Sequence, residues 1–289
     1  MSEILDRPPL LSKRSLAAGA GWTASDILCR AGPEDRPFEE QHTAVSISVV
    51  AAGSFDYRNE SGHGLMHPGS FLLGNAGGCF QCGHSHGRGD RCLALSFSAE
   101  LFAEIAASHA GRGGYRFNAA MLPAHRGLGH AVWGLESLLY LRDAQQAESM
   151  QAEQQVFAIA EAVLRHIDAA PESTAAPSVQ DQRRIGRALR HIEAQAHRAL
   201  DLAELADVAA MSKYHFLRQF RRIVGATPYD YLIGLRLRRA ATRLASERAP
   251  VAAIAYDSGF GDLSTFNGAF RAAYGLAPGA FRRRHAVAA

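Results

Sequence analysis

Two stretches in the last third of the 289-residue chain repeat one another, and this repeat constrains the fold more than any other feature. Leu202-Ala-Glu-Leu-Ala206 corresponds to Val251-Ala-Ala-Ile-Ala255. Phe216-Leu-Arg-Gln-Phe220-Arg221 corresponds to Phe266-Asn-Gly-Ala-Phe270-Arg271, and Gly225-Ala-Thr-Pro228 to Gly275-Leu-Ala-Pro278. The offset is 49 in the first pair and 50 in the others, so one unit carries an extra residue in its turn. Each unit reads as a short helix, 202–208 or 251–257, then a turn, then a second helix capped by Ser212 or Asp262. In that second helix the two phenylalanines stand at i, i+4 and face inward, leaving the opposite face free. Gly225 or Gly275 ends it. This is the helix-turn-helix plan, whose second helix enters the major groove of DNA. Pro228 opens a long connecting helix of about 18 residues, with Pro at its first turn. Its apolar side carries Tyr231, Leu232, Leu235 and Leu237, and its basic side Arg236, Arg239 and Arg243. Such a helix can hold the two units at a set separation.

Over roughly 183–284 the chain resembles the AraC/XylS family of transcription regulators. The resemblance rests on "LAELADVAAMSKYHFLRQFRRIVGATPYDYL" and on "IAYDSGFGDLSTFNGAFRAAYGLAPGAFRR", with its Gly-Phe ahead of the second recognition helix. It implies double-stranded DNA as a partner, a homodimer, RNA polymerase as a candidate partner, and a cupin-like N-terminal barrel that senses a ligand or mediates dimerisation. By the resemblance, Tyr214, Leu217 and Arg218 reach base edges. An arginine fork suits guanine O6 and N7. Ser212 and Arg221 lie on the same helix, and His215 and Arg222 are placed at phosphates. In the second unit Ser264, Thr265, Asn267 and Arg271 are the outer polar positions, with Asn267 offering an amide contact and Arg271 a phosphate contact. Gly268 stands where the family commonly has a basic residue, so the first unit is expected to carry most of the sequence reading.

The charge distribution agrees. Residues 181–289 hold 18 basic and 9 acidic residues, leaving 13 basic and 19 acidic ahead of them. A basic C-terminal part behind an acidic N-terminal part suits a polyanion at one end of the chain only. No apolar run reaches the roughly 18–20 residues of a membrane span, and the N-terminus has no signal-peptide core, so a cytoplasmic protein without membrane contact is expected.

Residues 44–97 read as short strands: Ala44–Val50, Phe55–Tyr57, Pro68–Leu73 and Leu93–Phe97. After Ser98, which reads as an N-cap, come three apolar helical stripes. These are Leu101/Phe102/Ile105, Val132/Leu135/Leu138/Leu139 and Val156/Ile159/Ala160/Val163/Leu164. The last two helices either cover the strands or present a dimer surface. The proline-punctuated stretch around 169–179 reads as a linker. The expected fold class is thus two domains. Residues 1–168 form a cupin-like β-barrel with helices, and residues 180–289 an all-α double helix-turn-helix.

"GCFQCGHSHGRGDRC", residues 78–92, contains three of the four cysteines. Cys79, Cys82, His84, His86 and Cys92 are five candidate ligands, and zinc takes four such donors in a tetrahedron. Cys82, His84 and His86 alternate onto one face if extended. Cys92 points away from the core face formed by Leu93, Leu95 and Phe97. Zinc is the expected cofactor, with a thiol switch and an ordinary polar hairpin as the other readings. Arg88, Asp90 and Arg91 read as a local ion pair, and His42, His63 and His67 as spare histidines. His84-x-His86-x3-Asp90 also loosely resembles a cupin metal triad. The alternative function is therefore a metal-dependent cupin enzyme fused to a DNA-binding module. The favoured one is a regulator with no catalytic residue, controlled by a small molecule or metal at its N-terminal part.

Overall fold

The computed structural model describes residues 10–84, 87–110, 115–124, 126–140, 150–168 and 177–285. The N-terminal strands form two antiparallel sheets. The larger has the order β1 (Leu11–Gly19), β2 (Trp22–Cys29), β9 (Asp90–Phe97), β4 (Val45–Gly53), β7 (Phe71–Gly74) and β10 (Met121–Leu122). The smaller has the order β3 (Phe38–Gln41), β8 (Cys79–Gly83), β5 (Phe55–Asn59) and β6 (Gly62–Met66).

Among the described residues neither sheet closes, which overturns the cupin-like β-barrel expected for residues 1–168. Closure requires the two edge strands to pair along their length. Here the outer strand β10 has two residues and ladders only with β7, at the opposite edge from β1. Strand alternation in sequence specifies which side chains are buried, but sheet order depends on pairings between distant segments.

Alternation along the strands sends side chains to two different cores. Ile47, Val49, Phe71, Leu73, Leu93, Leu95 and Phe97 face three helices: α1 (Ala99–Ala110), α2 (Gly129–Ser137) and α3 (Met150–Asp168). Ser98 Oγ accepts the Leu101 N–H at the start of α1. The α3 stripe, Val156, Ile159, Ala160, Val163 and Leu164, is buried in this same core, so α3 covers the large sheet. Val50, Phe55, Tyr57, Met66, Leu72 and Cys92 form a second core on the other face. Cys92 therefore does turn away from Leu93, Leu95 and Phe97.

Most of the linker read from the sequence, 169–176, lies outside the described residues. Beyond it come α4 (Val179–Gln195), α5 (Leu202–Val208), α6 (Lys213–Val224), α7 (Pro228–Ser246), α8 (Val251–Asp257), α9 (Leu263–Tyr274) and α10 (Pro278–His285). The repeat is visible bond by bond. Met211 N–H donates to the Ala206 carbonyl, and Phe260 N–H to that of Ala255. Ala210 takes φ 51 where the second unit has Gly259 at φ 96. The extra residue is Gly261, placed between Phe260 and the cap Asp262. Each unit has its own core, one around Phe216 and Phe220 and one around Phe266 and Phe270.

Gly268, in the middle of α9, is exposed, and a Cβ there would meet nothing within 4 Å. Its cost is therefore backbone entropy alone. Gly268→Ala is expected to stabilise the chain by about 1 kcal/mol, read as a higher denaturation midpoint at unchanged slope. A lower midpoint would show that the glycine is needed where it stands.

Candidate nucleic-acid interface and N-terminal cysteine cluster

The second helix of each unit is built in the same way. Ser212 Oγ accepts the His215 N–H, and Asp262 Oδ1 accepts the Thr265 N–H at 2.7 Å. Each helix ends on a left-handed glycine, Gly225 (φ 76) or Gly275 (φ 69), whose N–H donates to Arg221 or Arg271. The inward phenylalanines are fully buried, with ring centroids 5.4 Å apart in both units. That burial fixes which face is left to solvent. On α6 it exposes Ser212, Lys213, Arg218, Arg221 and Arg222, with His215 and Leu217 half-buried. On α9 it exposes Ser264, Thr265, Asn267, Gly268 and Arg271. The Tyr214 side chain lies outside the described residues.

His215 is tied to its own protein in a way the sequence did not suggest. Its Nε2 lies 3.6 Å from Asp181 Oδ1 on α4, and its Nδ1 lies 3.4 Å from Arg218 Nη2. The connecting helix α7 also differs from its sequence reading. Arg236 is buried, with Nε on the Ala196 carbonyl and Nη2 on the Arg198 carbonyl, both at 2.7 Å. Arg243 pairs with Glu247 and Asp257, and Arg239 donates to the Glu193 carbonyl. The three arginines read as a basic side are thus spent within the fold.

In the N-terminal part the candidate ligands separate. Cys79 is exposed at the start of β8, paired in register with Gln41. A Cys-x2-Cys pair converges in a turn, but within a strand residues i and i+3 point to opposite faces. Cys82 accordingly turns inward while Cys79 turns out. His86 lies outside the described residues. His84 and Cys92 both meet Asp90, which the sequence paired with His84 only in the loose metal triad, and they are joined by Cys29, which sequence reasoning missed. Cys29 ends β2 and Asp90 begins β9, directly opposite it in register. Donor atoms of Cys29, His84 and Asp90 all lie within 4.8 Å of one another, and all three residues are buried. His84 Nε2 is 2.6 Å from Asp90 Oδ2, and the Cys92 thiol donates to Asp90 Oδ1 at 3.4 Å.

Burial disfavours charge on His84, but the Asp90 carboxylate and Cys29 outweigh it and raise the imidazole to about 9. Burial pushes the Cys82 and Cys92 thiols well up, and the Asp90 charge adds to this. All four cysteines are free. The local ion pair read among Arg88, Asp90 and Arg91 is not formed. Arg91 holds Asp26, Arg88 pairs with Glu34, and Asp90 turns to His84. Of the spare histidines, His63 is exposed on β6 and the other two are occupied elsewhere. His42 bonds Tyr57 and Ser46, and His67 is buried edge-on against Tyr231. No described helix is long and apolar enough to cross a membrane.

The family match falls in the C-terminal part. Residues 205–284 match the family described as a helix-turn-helix domain. The chain is 35% identical over 101 residues to the RCS-specific HTH-type transcriptional activator RclR of Escherichia coli K12, covering 35% of this chain and 36% of that one. It is 33% identical over 99 residues to a putative AraC-like transcription regulator of Streptomyces lividans, covering 34% and 33%. The match thus spans about a third of the length of these curated relatives. Among solved structures, the DNA-binding domain of AdpA in complex with a target DNA is 29% identical, with a TM-score of 0.34, over 35% of this chain and 90% of that one. The C-terminal part of this chain carries two helix-turn-helix units, and over about a third of its length the chain is similar to AraC-like regulators.

Proposed function

We propose that the chain is a sequence-specific regulator of transcription that binds double-stranded DNA through α6 and α9. The observation that carries this is the repeated, capped helix whose buried phenylalanine pair leaves one polar face exposed in each unit. Arg218 reads bases from α6, with Tyr214 and Leu217 beside it. Ser212, His215, Arg221 and Arg222 contact the backbone of the DNA. On α9, Ser264, Thr265 and Arg271 hold backbone and Asn267 supplies one amide contact. Residues 180–289 act as the DNA-binding domain and residues 1–168 as the sensing and dimerising domain, joined by the linker. The protein works as a homodimer and meets RNA polymerase at its promoters. The curated relatives named above are regulators, and regulation needs no turnover. The input is an effector at the N-terminal part, with zinc as the cofactor that its cysteine and histidine donors suit. An effector can shift the equilibrium only by binding one arrangement better than another.

Arg218→Ala is expected to cost about 1–3 kcal/mol on the cognate site and to relax preference at one base pair. Binding measured across a panel of single-base variants of the site checks this. A uniform loss on every sequence would reduce Arg218 to a phosphate anchor, and no loss would remove it from the interface.

A further inference from the structure

We infer that Cys29, His84, Asp90 and Cys92 form a tetrahedral site for one zinc-class divalent cation. The inference deepens the sensor reading above and rests on that reading only for its regulatory meaning. The site is assembled from three separate segments: the end of β2, the loop after β8, and the start of β9. The antiparallel register sets Cys29 opposite Asp90, and alternation along β9 puts Cys92 on the same face as Asp90. The loop then folds His84 back so that its ring stacks on Phe55, with centroids 5.6 Å apart, and its Nε2 meets Asp90.

Metal–ligand bonds of about 2.0–2.3 Å in a tetrahedron put neighbouring donor atoms roughly 3.3–3.8 Å apart. The Cys29, His84 and Asp90 donors already fall within 4.8 Å of one another; Cys92 stands outside that group, with its Sγ 3.4 Å from Asp90 Oδ1, and completes the set by drawing in on the cation. The proton shared by His84 and Asp90 stands where the cation would draw these two donors. Entry of the cation exchanges protons for metal. The two thiols and the imidazolium each release one proton. The donors become two thiolates, a neutral imidazole and a carboxylate, which carry three negative charges against the two positive charges of the ion. Two sulfurs, one nitrogen and one oxygen are a donor set that suits zinc over calcium or magnesium. A Cβ at Gly87, in the His84 loop, would lie 3.7 Å from Arg190 Cδ on α4, the first helix of the C-terminal part. Gly87, close to His84 in sequence, therefore lies against the first helix of the C-terminal part.

The test is zinc retention by the full-length protein after equilibrium dialysis under reducing conditions, with metal counted per chain. About one zinc per chain is expected in the wild type and in Cys79→Ser. At least a tenfold weaker affinity is expected in Cys29→Ser and in Cys92→Ser. Cobalt(II) in place of zinc should give a thiolate-to-cobalt charge-transfer band that both of these variants weaken. Circular dichroism confirms that each variant is folded. Failure of the wild type to retain zinc, or wild-type affinity in folded Cys29→Ser, would overturn the site. Neither measurement involves DNA, so the cation site and the DNA-binding reading stand or fall separately.

Discussion

Phe270→Ala is expected to destabilise the chain by about 3–5 kcal/mol, the usual cost of removing a buried aromatic ring from a core that cannot collapse around the loss. Phe270 is fully buried. Its ring meets Phe266, Tyr274 and Phe281 at centroid distances of 5.4, 4.5 and 5.1 Å. These four aromatics come from only two helices, α9 and α10, and with Trp133 of α2 they belong to the second unit's core. A cavity here has rigid walls, because rings on short helices cannot move inward without breaking the capped turns at Asp262 and Gly275. The loss is also local, since the first unit packs around its own phenylalanines. Urea denaturation should show the drop. Hydrogen exchange should show protection lost in α8, α9 and α10 before α6. Phe270→Leu should recover more than half of the loss. A drop below about 1 kcal/mol would show that the unit relaxes freely and that its core does not fix the recognition helix.

The units were legible because a helix-turn-helix is local. The periodicity of Phe216 and Phe220, the caps Ser212 and Asp262, and the stop at Gly225 all act within a dozen residues, and each does its expected task. The N-terminal part was legible only element by element. Strands were visible in the alternation of 44–97, but nothing near β10 in sequence says that it pairs with β7. The barrel expectation therefore failed on topology. The cluster shows the same division more finely. His84 and Cys92 were found because they lie close in sequence, and Cys79 was wrongly joined to them for the same reason. Cys29 was missed because its link to Asp90 is a strand register across about sixty residues. The usable signal was the fourth cysteine at the end of a strand. Asp90 was read two ways, with His84 in a loose triad and with its arginine neighbours in an ion pair, and in the fold those arginines reach out to Asp26 and Glu34 instead.

Arg236→Ala is expected to cost about 3 kcal/mol, because it removes two charge-assisted hydrogen bonds and strands two carbonyls. Periodicity placed Arg236 with Arg239 and Arg243 on a solvent face of α7, yet it is only 8% exposed. Its guanidinium reaches back to the Ala196 and Arg198 carbonyls, where the chain leaves α4 of the first unit. Its Nε also lies so near Gly259 of the second unit that a Cβ there would approach to 2.7 Å. One side chain on the connecting helix therefore touches the segment between α4 and α5 that leads into the first unit and the turn of the second, where Gly259 supplies both the close approach and the left-handed φ. Lysine has a single donor head without a fork, so Arg236→Lys should recover less than half of the stability. The effect on DNA follows from the same geometry. Two recognition helices held at a fixed separation bind a two-groove site with the benefit of high effective concentration. In folded Arg236→Ala, affinity for a full site should fall more than affinity for a half-site. Equal losses on both would mean that α7 alone sets the separation, and that the buried arginine only stabilises the first unit.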